Sequence, residues 1–201
     1  MTCAEPVAMT EPGGVLWINS TKEMRVLSVA VVFFTFALGA WVIGLYLIGI
    51  GANPTEESKN PAITVGWIEV IVGVMLASQV FILVQQAAGD SLILTLAGLV
   101  LLFAVFFTAL GIALVTGSDL RPVGNLAVPV GVLAALYLTF DLFNDTFLFQ
   151  SSTIVWGVVF LMVTGFTYGK VPAKTLGYAL VFTAFWGFLP VVYLALDKTI
   201  P

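Results

Sequence analysis

Across 201 residues the chain is 60% hydrophobic and 9% charged, with a mean hydropathy of +1.11, whereas a soluble domain carries roughly 25% charged residues. This is the composition of an integral membrane protein, and a formal charge of -4 scattered over its loops offers no basic face for nucleic acid. The single cysteine, Cys3, rules out an internal disulfide, and the lack of histidine removes every histidine metal site, general base and pH sensor.

Residues 1–24 include Glu5, Pro6, Glu11, Pro12, Gly13 and Gly14 and lack the basic start and apolar core of a cleaved signal, so they are expected to form an extramembrane arm, ordered or loose. Trp17 sits in a short apolar patch suited to the membrane interface, where an indole keeps its N–H wet. Asn19-Ser20-Thr21 matches a glycosylation acceptor, a pattern short enough to arise often by chance.

A spanning helix needs roughly 20 apolar residues. Cutting the chain at its charged and Pro/Gly-rich breaks leaves six segments, at 26–50, 64–86, 92–116, 126–142, 153–168 and 175–196. Barrel strands would alternate polar and apolar residues, so the fold class expected is all-α, a six-transmembrane-helix bundle over residues 25–196 with a tail at 197–201. With the N-terminus outside, the inner loops carry Lys59, Arg121, Lys170 and Lys174, against Lys22, Arg25 and Lys198 outside. That excess, and the pair in one short loop, favour both termini outside. Gly39 with Gly44, Gly111 with Gly117 and Gly157 with Gly165 have the spacing that lets helices approach closely in lipid.

No H-E-x-x-H, Cys/His cluster, phosphate-binding G-x-x-x-x-G-K-[ST] or G-x-S-x-G occurs, so neither an enzyme nor a cofactor is expected. Ionisable groups at membrane depth carry more weight, because a charge there costs at least roughly 2.5 to 3.5 kcal/mol. Glu69 lies about one and a half turns into the second span, and Gln79 follows nearly three turns later, so both would face one side and line a polar path. The alternative has Glu69 near the headgroups. Asp141, Asn144 and Asp145 read as a wet helix end, and Thr108, Thr116, Thr139 and Thr164 as hydroxyls returned to backbone carbonyls.

Trp156 and Phe160 are four residues apart and share a face of the fifth span, while Phe182, Phe185, Trp186 and Tyr193 mark the sixth. Rings facing inward would make a narrow slot for a flat neutral molecule. Rings facing outward would be ordinary belt residues.

The run L-L-F-A-V-F-F-T-A-L-G-I-A-L-V-T-G-S-D-L-R-P, residues 101–122, resembles the third span and following turn of the AmiS/UreI family of urea and short-chain amide channels. W-G-V-V-F-L at 156–161 is similar to the family's fifth span, Gly169-Lys170 falls near the next loop, and T-L-G-Y-A-L-V-F-T-A-F-W-G-F-L-P at 175–190 resembles the sixth. The likeness covers roughly residues 100–195. It implies a bacterial inner-membrane protein of six-helix protomers, each with its own pore, in a homo-oligomeric ring. Trp156 and Phe160 would then form the constriction, and Phe182 would stand where family members commonly carry a glutamate. Asp119 and Arg121 would form a cytoplasmic turn, Asp119 capping the next helix and Pro122 starting it.

Two functions of different class follow: a passive channel for urea or short-chain amides, and a non-transporting membrane subunit packed into a larger complex. An ion-coupled carrier using Glu69 is a third.

Overall fold

Apolar runs of this length satisfy their backbone groups in lipid by coiling into helices. In the computed structural model the described residues are 14–52, 60–136 and 147–195, without the side chains of 14–29, 92, 148, 149, 190 and 193–195. They form α1 (Gly14–Ile48), α2 (Pro61–Ala87), α3 (Ser91–Thr116), α4 (Arg121–Leu136), α5 (Phe147–Thr167) and α6 (Ala173–Ala195), with no strand among them. Four stretches are long and apolar enough to cross a membrane: Ala30–Ile48, Pro61–Ala87, Ile93–Thr116 and Gln150–Thr167. Arg121–Leu136 and Ala173–Leu189 are shorter apolar stretches.

Several boundaries differ from the sequence expectation: α4 starts at Arg121 where 126 was expected, and α5 at Phe147 where 153 was expected. α1 starts at Gly14 and runs 35 residues, about 52 Å at 1.5 Å per residue, so residues 14–24 prolong the first helix. No Pro or Gly interrupts the chain between Gly14 and Gly39, so nothing in the sequence stops the helix at residue 25. The end expected for the fourth span, with Thr139, Asp141, Asn144 and Asp145, lies outside the described residues, as do residues 1–13, Lys59 and the tail.

The helices associate chiefly as three pairs, α2 with α3, α1 with α6 and α4 with α5. Glycine makes each seam. A methyl group at Gly66 would lie 2.7 Å from the Gly111 carbonyl oxygen, one at Gly44 would lie 3.0 Å from the Gly177 oxygen, and one at Gly131 would lie 3.1 Å from the Gly157 oxygen. Small residues thus replace the absent hydrophobic drive with close backbone packing. Gly117, expected in a seam, instead ends α3 at φ +67° with open space around it, a left-handed stop that favours glycine.

Short polar devices set the turns. Asn60 accepts from the Ala62 N–H at 3.0 Å and Pro61 opens α2, while left-handed Ala88 closes it and starts the tight return into α3. Between the pairs, α5 is tied to α6 by the Trp186 indole donating to Ser151 Oγ at 3.1 Å. The outer faces expose Trp67, Ile71 and Phe81 on α2, Val105 and Ile112 on α3, and Val158 and Leu161 on α5. An apolar belt of that extent belongs against lipid.

Candidate functional site

The C-terminal ends of α1, α3 and α5 and the starts of α4 and α6 meet at one end of the bundle and enclose a cavity of about 450 Å³. Tyr46 and Leu47, Leu114, Leu120, Phe166 and Ala173 ring it near that end, and Thr167 is its one side-chain hydroxyl apart from Tyr46. Toward the middle of the bundle its floor is aromatic: Phe36 from α1, Phe106 and Phe107 from α3, and Phe160 from α5.

The floor is an interlocked set of rings. Phe160 lies parallel to Phe103 at 5.5 Å and edge-on to Phe106 at 4.9 Å, while Phe36 meets Phe107 edge-on at 5.6 Å. Below them Trp156 packs on Phe33 at 5.0 Å, on Phe36 at 4.9 Å and edge-on to Phe103 at 5.6 Å. Each such contact is worth about 0.5–1.5 kcal/mol beyond burial. A flat solute between two rings needs them about 7 Å apart, two van der Waals contacts of about 3.5 Å. Phe103 and Phe160 stack with centroids 5.5 Å apart and planes 6° from parallel, a direct contact with no room for a solute between those two rings, so the floor is closed there.

Trp156 and Phe160 therefore face inward together, at 4% and 3% exposure. Trp156 lies one layer below the cavity, and its indole Nε1 has no hydrogen-bond partner among the described residues. A buried donor left unpaired costs about 1–3 kcal/mol, so the site holds a hydrogen-bond donor in reserve.

Glu69 is wholly buried, so its carboxyl does not snorkel out to the bundle surface. A methyl group at Gly39 of α1 would sit 2.9 Å from Glu69 Oε2 and 3.0 Å from the Phe107 ring, so the carboxyl lies among α1, α2 and α3 close to Phe107, which lines the cavity while Glu69 does not. Gln79 does not join it. Ten residues fall about 80° short of three turns, and Gln79 is half-buried and off the cavity.

Phe182 also leaves the predicted path. It is 54% exposed and stacks on Trp186 at 5.7 Å. The inner face of α6 is Leu176, Leu180, Thr183, Ala184 and Gly187, and a residue two positions from Leu180 points about 200° around the helix.

Asp119, Arg121 and Pro122 form the expected turn at the cavity end. Asp119 Oδ1 accepts the Arg121 backbone N–H at 2.9 Å, and the guanidinium closes on the carboxylate at 2.6 Å. Pro122 takes the second helical position, where no N–H is lost. The Arg121 side-chain hydrogen bond, with the backbone one, holds the Asp119 carboxyl below the usual range, and Asp119 in turn raises Arg121. Both are exposed, so the pair is architectural. Nearby, Thr164 Oγ donates to the Gly124 carbonyl at 2.8 Å and the Tyr168 hydroxyl to Asn125 Oδ1 at 2.7 Å, fixing α5 to α4.

Sequence reasoning missed five members of the ring cluster, Phe33, Phe36, Phe103, Phe106 and Phe107. Their spacing of three or four residues within α1 and α3 was the available signal. No known protein family, no curated protein and no solved structure matches the chain.

Proposed function

We propose that the chain is a six-span channel of the inner membrane for small neutral solutes of the short-chain amide class, akin to the AmiS/UreI family and assembled as a homo-oligomeric ring with both termini outside. The observation that carries this reading is Trp156: inward, buried against the aromatic floor, and with an indole N–H that no described residue accepts. An amide carbonyl is the matching acceptor. The apolar cavity above would strip a hydrated ion of water without replacing it, which favours neutral cargo.

The same lining ranks the candidates. Burying a methylene is worth about 0.8 kcal/mol, close to fourfold, so an alkyl amide is favoured over urea. At 23 residues α6 measures about 35 Å and can cross a core of about 30 Å. α4 reaches about 24 Å by Leu136, and the sequence continues apolar to Phe140. The second reading, a non-transporting membrane subunit, draws on the closed floor and the scarcity of polar lining.

Osmotic shrinkage of proteoliposomes with urea, acetamide and glycerol tests the proposal. Trp156→Phe keeps a ring but loses the donor, and acetamide flux should drop about two- to tenfold for a hydrogen bond of 0.5–1.5 kcal/mol. Trp156→Ala should raise glycerol flux relative to urea. If wild-type vesicles shrink no differently from protein-free ones with all three solutes, the subunit reading takes its place.

A further inference from the structure

Glu69 is the buried polar group with the strongest claim on an occupant. Neither of its carboxyl oxygens has a hydrogen-bond partner among the described residues. The groups that could compensate a charge are absent from the helices packed against it. α2 has no other titratable residue and α3 has none. On α1 the described titratable side chain is Tyr46, two turns past Gly39, while Arg25 stands 14 residues before Gly39, about 21 Å along the axis, with Glu23 and Lys22 farther still. Arg121, Lys170 and Lys174 are exposed at the cavity end.

The shape of the site selects the occupant. A methyl group on Gly39 would come within 2.9 Å of Oε2, 3.0 Å of the Phe107 ring and 3.2 Å of Val72, so the space on that side of the carboxyl is narrow. A metal cation with its shell of oxygen ligands needs far more room than that. A proton adds no volume. The nearest turn of α1 supplies one further polar group: Thr35, one turn from Gly39 on the same face, is fully buried and its Oγ1 has no partner among the described residues. Phe107 lines the cavity, and its ring edge and Glu69 Oε2 both lie within 3.0 Å of one point beside Gly39, so the carboxyl sits next to a ring of the cavity lining.

We propose that Glu69 is a proton-binding site loaded from the cavity past Phe107, and that solute passage is linked to it. In the loading step a hydronium ion in the cavity gives its proton to a carboxylate oxygen, one O–H bond forming as another breaks, and release reverses it. The link arises because a solute that displaces Phe107 moves the ring beside the carboxyl. The linkage rests on the channel reading, whereas the proton site does not.

Carbodiimide labelling tests the site without any flux. Dicyclohexylcarbodiimide takes the proton of a carboxylic acid in an apolar setting and leaves a stable N-acylurea, read by peptide mass. In lipid vesicles the wild-type chain should carry one adduct, on Glu69, declining as the medium is made alkaline and absent in Glu69→Gln. Phe107→Leu should label faster and admit a water-soluble carbodiimide. If Glu69 stays unmodified in both the wild type and Phe107→Leu, or is modified equally at every pH, the proton site is wrong.

The linkage has its own arm, an internal pH dye during an imposed acetamide gradient. Proton movement in the wild type that is lost in Glu69→Gln supports it. Acetamide flux without proton movement overturns the linkage and leaves the channel reading standing. Absence of acetamide flux beside pH-dependent labelling overturns both of these and leaves the proton site.

Discussion

The α2–α3 seam offers the sharpest quantitative test, through Gly111→Ala. The added methyl would lie 2.5 Å from the Gly66 carbonyl oxygen and 2.7 Å from the Val70 backbone nitrogen. Ordinary contact begins near 3.4 Å, so the helices must separate by about 0.9 Å, and the obstacles are backbone atoms that cannot rotate aside. A gap of that size forfeits a quarter to a half of each neighbouring dispersion contact. With the clash itself, the cost is expected at the upper end of the about 1–3 kcal/mol typical of overpacking. Gly98→Ala is the matched control on the same helix, because no atom lies within 4 Å of its new methyl. It should be neutral or stabilising by up to about 1 kcal/mol, from helix propensity alone. Reversible unfolding of both variants in lipid bicelles measures the difference. Equal stabilities would refute the reasoning that backbone contact at Gly66 and Gly111 holds this seam.

Three further outcomes are expected. Asp119→Asn should melt below wild type at neutral pH, because a depressed carboxyl stabilises above its ordinary value of 3.8, and the gap should close as acid protonates it below that value; a gap that widens in acid would contradict the Arg121 pairing. Tyr168→Phe removes the 2.7 Å bond to Asn125 and should lower stability by about 0.5–1.5 kcal/mol in thermal unfolding in detergent, whereas Tyr178→Phe, at an exposed position, should be unchanged. For topology, Lys198→Cys in a Cys3→Ser background should react with an impermeant maleimide added outside intact cells, and reaction only after permeabilisation would reverse the orientation.

Helix number and approximate limits were legible because they depend on run length and on breaks such as Pro61, Gly117 and Gly169. Which face turns inward was harder to read. In a soluble helix polarity marks the solvent side, but in lipid Phe103 and Leu101 are equally apolar and only one of them is buried. The remaining signal is size, as in Gly66 and Gly73 on one face of α2 meeting Gly111 and Ala104 on α3. Trp156 and Phe160 were placed correctly on one face by their four-residue spacing. Phe182 was assigned by correspondence to another family's glutamate, and helical geometry from Leu180 and Ala184 contradicts that assignment.

The tight seams and the aromatic floor belong to one arrangement. Glu69 lies between Gly66 and Gly73 on α2, Phe107 lies one turn before Gly111 on α3, and both come within 3.0 Å of where a Gly39 methyl would stand on α1. On the other side of the floor, Phe160 belongs to α5, which is fastened to α4 through Thr164, Tyr168 and the Gly131–Gly157 contact. The floor therefore draws on all three helix pairs, with Phe36 from α1, Phe106 and Phe107 from α3 and Phe160 from α5, and α3 touches α4 far less than either touches its own partner. Parting Phe103 of α3 from Phe160 of α5 would open the seam between the α2–α3 and α4–α5 pairs, which is sparser than the seam within either pair. A disulfide bridging α3 to α4 should for that reason suppress acetamide flux, while one bridging α2 to α3 should leave it near wild type, and the reverse pattern would place the moving seam elsewhere.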